Sequence, residues 1–264
     1  MKKIINVGRI FYAAALIVYG FQQFIYADFR PVFVPAWQSF LPGLPVWAYL
    51  FGIGLIAAAL AIVLEKKAKE AALILGVVFL ALVCLVHIPY EIIADPYSKH
   101  LALWTNALKE LALAGGAFIV AGTFQEKSTT PAFLKLLEPI IPFGRIFFSI
   151  TMISFGIQHF MYAENVATLV PAWIPDHLFW TYFAGVTLIC SGVAIILNIR
   201  MKQIAVLLGT MIFLWFIVLH LPRAFAEGLA NRGNEVASSF DALAFTGIAF
   251  MIAFGVSVKN DELL

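Results

Sequence analysis

The chain has 264 residues, 62% of them hydrophobic and 12% charged, with a net charge of +2 and a mean hydropathy of +0.95. Soluble domains carry about 25% charge and have no means of hiding so much apolar surface, so the composition excludes a water-soluble protein. With no basic tract, it also excludes a nucleic-acid binder.

Apolar runs follow in order at 9–27, 46–64, 71–90 and 101–123, then at 144–162, 178–197, 203–222 and 239–257. Each approaches the ~20 residues of helix that cross a bilayer. The fold class is therefore all-α: a polytopic membrane protein of eight transmembrane helices. Between the two sets lies a segment, 125–142, with Pro131, Pro139 and Pro142, which rule out one continuous helix through it. A short amphipathic helix is expected around 132–138.

The two sets repeat each other. Gly8-Arg9-Ile10-Phe11 matches Gly144-Arg145-Ile146-Phe147. Gly20, Gln22, Phe24, Tyr26 and Ala27 match Gly156, Gln158, Phe160, Tyr162 and Ala163. Val34-Pro35-Ala36-Trp37 matches Val170-Pro171-Ala172-Trp173, and the His87 segment matches that of His220. Residues 1–124 thus form a first four-helix unit, 125–142 a cytoplasmic linker and 143–264 a second unit. Four helices is an even number, so both units enter the membrane from one side, as two parallel-repeat four-helix bundles about a pseudo-two-fold along its normal. Met1-Lys2-Lys3 before an apolar run also suits a signal peptide, but the recurrence at 144–164 marks a retained first helix.

Lys2, Lys3, Arg9, Lys66, Lys67, Lys69, Lys127, Lys135, Arg145, Arg200, Lys202 and Lys259 fall on one face, against Arg30, Lys99, Arg223 and Arg232 on the other. The positive-inside rule then places both termini in the cytoplasm. Arg9 and Arg145 read as side chains snorkelling to lipid phosphates.

In that frame the polar residues collect at the outer ends of the helices: Gln22, Gln23 and Tyr26, then Gln158, His159 and Tyr162. His87 and His220 lie near the outer ends of the third and seventh spans. Asn106 and Asp241 align in the fourth and eighth. Trp37 and Trp173 head the duplicated loops. Together these residues predict an outward-facing polar cavity rimmed by aromatics. Pro89 and Pro222 follow the histidines by two residues and are expected to kink or end each helix there. Lys109 and Glu110 sit in the fourth apolar run, where a charge costs roughly 2.5–3.5 kcal/mol, so they must face protein or water. Lys109 is expected to neutralise Asp241 across the two halves.

No metal-ligand set, phosphate loop or nucleophile motif is present. Cys84 and His87 are three apart, but Ile217 replaces the cysteine in the second copy, which argues against a metal pair. Bis-histidine haem ligation by His87 and His220 is conceivable in geometry, yet nothing else in the chain selects haem.

The Gly-Arg-Ile-Phe opening, the mid-helix Gly20 and Gly156 and the polar outer ends resemble the DoxX family. The chain looks like two DoxX-like units fused in tandem. That resemblance implies a prokaryotic plasma (inner) membrane protein linked to quinone or sulfur redox chemistry, and brings no residue roles with it. The reading it favours is a redox-associated membrane subunit that binds a quinone or small amphiphile and works with a separate redox partner protein. The alternatives are a small-molecule or ion transporter and a structural or assembly subunit; whether the chain is an enzyme stays open.

Overall fold

The computed structural model describes residues 2–35, 42–94, 96–97, 100–124 and 131–255. The described residues form helices and the turns between them. In order these are α1 (Lys2–Tyr26), α2 (Leu44–Val63), α3 (Ala68–Leu82), α4 (Ile88–Ala94), α5 (Thr105–Gly122), α6 (Ala132–Lys135), α7 (Gly144–Met161), α8 (Ala163–Ala167), α9 (His177–Ile196), α10 (Met201–Trp215), α11 (Leu221–Glu227) and α12 (Asn234–Gly255). A 3-10 segment, Glu138–Phe143, leads into α7.

Seven helical stretches among the described residues are long and apolar enough to cross a membrane. The chain is a polytopic all-α membrane protein. The fourth run of the sequence, 101–123, now α5, is not among the seven. Its 18 residues begin with Asn106, Lys109 and Glu110, which dilute its hydropathy. It nevertheless sits inside the molecule, buried from Ala112 to Ala121.

The two prolines do not end their helices. A π-helical turn, Val83–His87, joins α3 to α4, and another, Phe216–His220, joins α10 to α11. The wider turn absorbs the missing N–H and the bulk of the ring, so the helix runs on past Pro89 and Pro222. The bend is moved upstream, and each histidine is the last residue of its turn.

Packing crosses between the halves. α1 lies against α2 and α12; α7 lies against α9 and α5. α3 packs on α5 and α10 on α12, and α5 and α12 meet at the centre. Small residues allow these approaches, as is usual where lipid removes the hydrophobic drive between helices. A Cβ on Gly20 would lie 2.9 Å from the Gly52 carbonyl, and one on Gly156 2.7 Å from that of Gly185. Gly115 meets Gly144 as Gly247 meets Gly8, and Phe118 covers Gly76 as Phe250 covers Gly209. In that register Lys109 is the counterpart of Asp241, and Glu110 that of Ala242. The sequence pairing of Asn106 with Asp241 is therefore off by about one helical turn.

Arg9 does not snorkel. It is 8% exposed and closes the C-terminal end of α5: Nη2 donates to the Thr123 carbonyl at 2.7 Å and Nε to its hydroxyl at 2.9 Å. Nη1 pairs with Glu65 at 2.8 Å, and the guanidinium lies 3.7 Å from the Phe124 ring centre. Its counterpart Arg145 reaches Asn198. Lys69 holds the connecting segment through Glu138 at 2.7 Å. Arg9→Lys keeps the charge but loses the fork and the stack. We expect it to lower stability by about 1–2 kcal/mol, read as a lower unfolding midpoint in detergent; an unchanged midpoint would contradict the buried role.

Candidate functional site

A cavity of about 280 Å³ lies in the second half, among α7, α9, α10, the Phe216–His220 turn and α12. Its walls are mainly apolar and aromatic: Phe155, Trp180, Trp215 and Phe245, with Met152, Leu188 and Ile212 deeper in. Trp180 and Trp215 meet edge to face with centroids 6.2 Å apart, and Phe155 lies 6.3 Å from Phe245. Val166 of α8, with Leu169 and Val170 just after it, covers the cavity.

The polar groups are few. Lys109 Nζ pairs with Asp241 Oδ2 at 2.8 Å, joining α5 to α12 on the wall shared with the first half. The Tyr19 hydroxyl of α1 donates to the other Asp241 oxygen. Asp241 is thus held by a cation and a hydroxyl, which is how a buried carboxylate is kept in such surroundings. His159 Nδ1 donates to the Phe155 carbonyl at 2.8 Å, which leaves Nε2 as the acceptor. The Thr181 hydroxyl donates back to His177 O at 2.9 Å. His220 lines the cavity, makes no hydrogen bond among the described residues, and buries its Nδ1 without a partner.

The residues singled out from the sequence divide. Lys109, His159, His220 and Asp241 meet at this cavity. Gln22 and Gln158 do not; they tie the halves together. Gln22 Nε2 donates to Gly233 O at 2.9 Å, just before α12. Gln158 accepts from Thr105 Oγ1 at 3.1 Å and donates to Leu101 O at 3.3 Å, at the start of α5. Tyr26 and Tyr162 reach the same two loops, through Leu229 O and Ala102 N. Gln23 is fully buried and accepts from Arg30 N at 3.2 Å. Asn106 lies outside the cavity lining, and Trp173 is 74% exposed. Trp37 lies outside the described residues.

His87 and Glu110 form a separate buried pair in the first half. Both side chains are fully buried, with Nε2 3.3 Å from Oε2. The hydrogen-bond direction of Nε2 goes instead to the Val32 carbonyl at 3.1 Å, so Nε2 carries the proton. Neither Glu110 oxygen accepts a hydrogen bond, and His87 Nδ1 has no partner. Cys84 is exposed on the outside of the same π-helical turn, so it does not share a face with His87.

Sequence reasoning missed Tyr19, Trp180 and Trp215. Tyr19 recurs only as Phe155, so a filter for shared polar residues passes over it. Trp180 forms a cavity wall, which its place near the start of an apolar run does not announce.

The family model described as DoxX matches residues 140–221, which span α7, α8, α9, α10 and the π-helical turn that ends at His220. The match therefore covers most of the cavity wall and stops before the α12 residues that complete it. No significant match is found among curated proteins or solved structures. The match makes residues 140–221 similar to the DoxX family.

Proposed function

We propose that this protein is a redox-associated subunit of the prokaryotic plasma membrane, built of two DoxX-like units in tandem, that binds a quinone or similar small amphiphile in the second-half cavity. The observation that carries the reading is the composition of the cavity: aromatic and aliphatic walls, with His159, His220 and the Lys109–Asp241 pair as its few polar points. Sites for flat, mostly apolar ligands are built this way, and about 280 Å³ is near the lower end of the ligand-pocket range. The tandem arrangement is supported by the matched glycine contacts and by the two π-helical turns ending in histidine. The excess of Lys and Arg at the Arg9 end supports cytoplasmic termini. A ligand of this kind enters from the outer leaflet, and electrons reach it from a separate partner protein, since the chain has no redox group of its own in this reading.

Binding is favoured over passage by the packing beneath. Toward the Arg9 end the halves close on each other: a Cβ on Gly247 would lie 2.5 Å from Gly8 O, and one on Gly115 2.5 Å from Gly144 O. The surrounding residues of α5 and α12 are buried throughout.

The test is tryptophan fluorescence in nanodiscs. A short-chain ubiquinone analogue is expected to quench Trp180 and Trp215 saturably. Ala184→Phe, which fills the cavity, is expected to raise the half-saturating concentration about tenfold or more, the loss of a ring-sized contact. Quenching that is linear in quinone and blind to Ala184→Phe would reject the reading.

A further inference from the structure

The halves place matching walls around different contents. In the first half the fully buried Phe33 ring is surrounded by aromatic side chains. It stacks on Phe79 at 5.2 Å and meets Phe51 and Tyr19 edge-on at 5.1 and 5.2 Å. Beside it, His87 Nε2 donates to the carbonyl of the preceding residue, Val32, at 3.1 Å. The site is filled by a carbonyl and an adjoining ring, both supplied by the chain itself.

The glycine register carries these positions into the second half. Tyr19 corresponds to Phe155 through Gly20 and Gly156. Phe51 corresponds to Ala184 through Gly52 and Gly185. Phe79 and His87 correspond to Ile212 and His220 through Gly76 and Gly209, and Phe33 corresponds to Leu169. Phe155, Leu169, Ala184, Ile212 and His220 all line the cavity. Three phenyl rings have become Leu169, Ala184 and Ile212, and the volume they gave up is the cavity. His220 differs from His87 in one respect that follows from this: it meets no carbonyl and makes no hydrogen bond among the described residues.

Resting on the reading of this cavity as an amphiphile site, we propose that the first half is a self-occupied copy of the site, closed by its own segment 29–34, and that the second-half ligand offers what that segment offers: a carbonyl oxygen for His220 Nε2 and a flat ring against Phe155 and Trp180. The internal occupant thus describes the external one. Edge and face contacts select the ring over an alkyl chain, and the histidine selects a ring bearing a carbonyl over a bare hydrocarbon, because a buried donor left unpaired is penalised.

The test compares three probes by calorimetry on the full chain in nanodiscs: a decyl naphthoquinone, decylnaphthalene and an aliphatic ketone of similar length. The naphthoquinone is expected to bind about tenfold tighter than either other probe, with one equivalent per chain. His220→Gln, which keeps a donor, is expected to retain that preference, and His220→Leu to lose it. Phe33→Leu combined with Phe51→Ala, which gives the first half two of the three smaller side chains of the second, is expected to add a second equivalent. Leu169→Phe combined with Ala184→Phe is expected to abolish the first. Equal binding of all three probes would overturn the ring-and-carbonyl assignment while leaving amphiphile binding in place. Absence of binding by any probe would overturn both. A folded Phe33→Leu/Phe51→Ala variant that still binds one equivalent would overturn the self-occupied copy.

Discussion

Lys109→Met is expected to destabilise the protein by about 3–5 kcal/mol, because it strips a buried carboxylate of its cation. Asp241 is 4% exposed, and its remaining partner is the Tyr19 hydroxyl. That hydroxyl donates one hydrogen bond and leaves the second oxygen, now at 2.8 Å from Lys109 Nζ, without a donor. The loss is not a simple measure of how strongly the pair attracts. Much of it is the desolvation of a charge left alone, so Lys109→Met/Asp241→Asn should recover most of the stability. The measurement is a double-mutant cycle on unfolding in detergent. A single variant as stable as the parent, or a double variant no better than the single, would show that the pair does not join α5 to α12 as described. Since Lys109 and Asp241 also line the cavity, the double variant is the one to use in asking whether their charges matter to binding.

This pair shows how far the sequence could be read. Two opposite charges at similar depth in apolar runs must meet something, and Lys109 and Asp241 meet each other. What the sequence misaligned was their register. Matching Asn106 to Asp241 follows residue type, whereas the helices match at the glycines that touch, which places Lys109 opposite Asp241. The order of spans was legible for an equally simple reason, since apolar length leaves little choice. α5 is the exception in kind: its polar first turns look unsuited to a membrane until its neighbours are known to cover them.

The site was half legible. Recurrence of Gln22 and Gln158, or Tyr26 and Tyr162, indicates a shared physical reason without saying which. The reason is a carbonyl or an amide in the opposite half, not a ligand. The π-helical turns were not legible, because a proline two residues past a histidine reads equally as a helix end. The cavity itself came from differences among apolar residues. Ala184 for Phe51 and Ile212 for Phe79 leave no mark on a search for polar residues, yet they decide which half has room inside.

The second large effect is expected where the halves touch backbone to backbone. On Gly247 a Cβ would lie 2.5 Å from Gly8 O and 3.0 Å from the Cβ of Phe11. Neither neighbour is the free end of a flexible side chain. The clash can be relieved only by moving α1 away from α12, and α1 also holds Tyr19 against Asp241 and Gln22 against Gly233 O. Gly247→Val should therefore cost about 3 kcal/mol or more, at or beyond the upper end for overpacking a filled core, and should reduce the yield of folded protein from membranes. Gly54 provides the control on the same chemistry. Its Cβ would meet nothing within 4 Å, so Gly54→Ala should be neutral or should stabilise α2 by up to about 1 kcal/mol through helix propensity alone. The contrast separates contact from propensity, because both substitutions improve the intrinsic helix preference or change it little, and only one forces two backbones apart. Equal tolerance at the two positions, measured by folded yield and unfolding midpoint, would mean that α1 and α12 do not approach at Gly8 and Gly247. The closed end beneath the cavity would then lose its physical basis, and with it the argument for binding over passage.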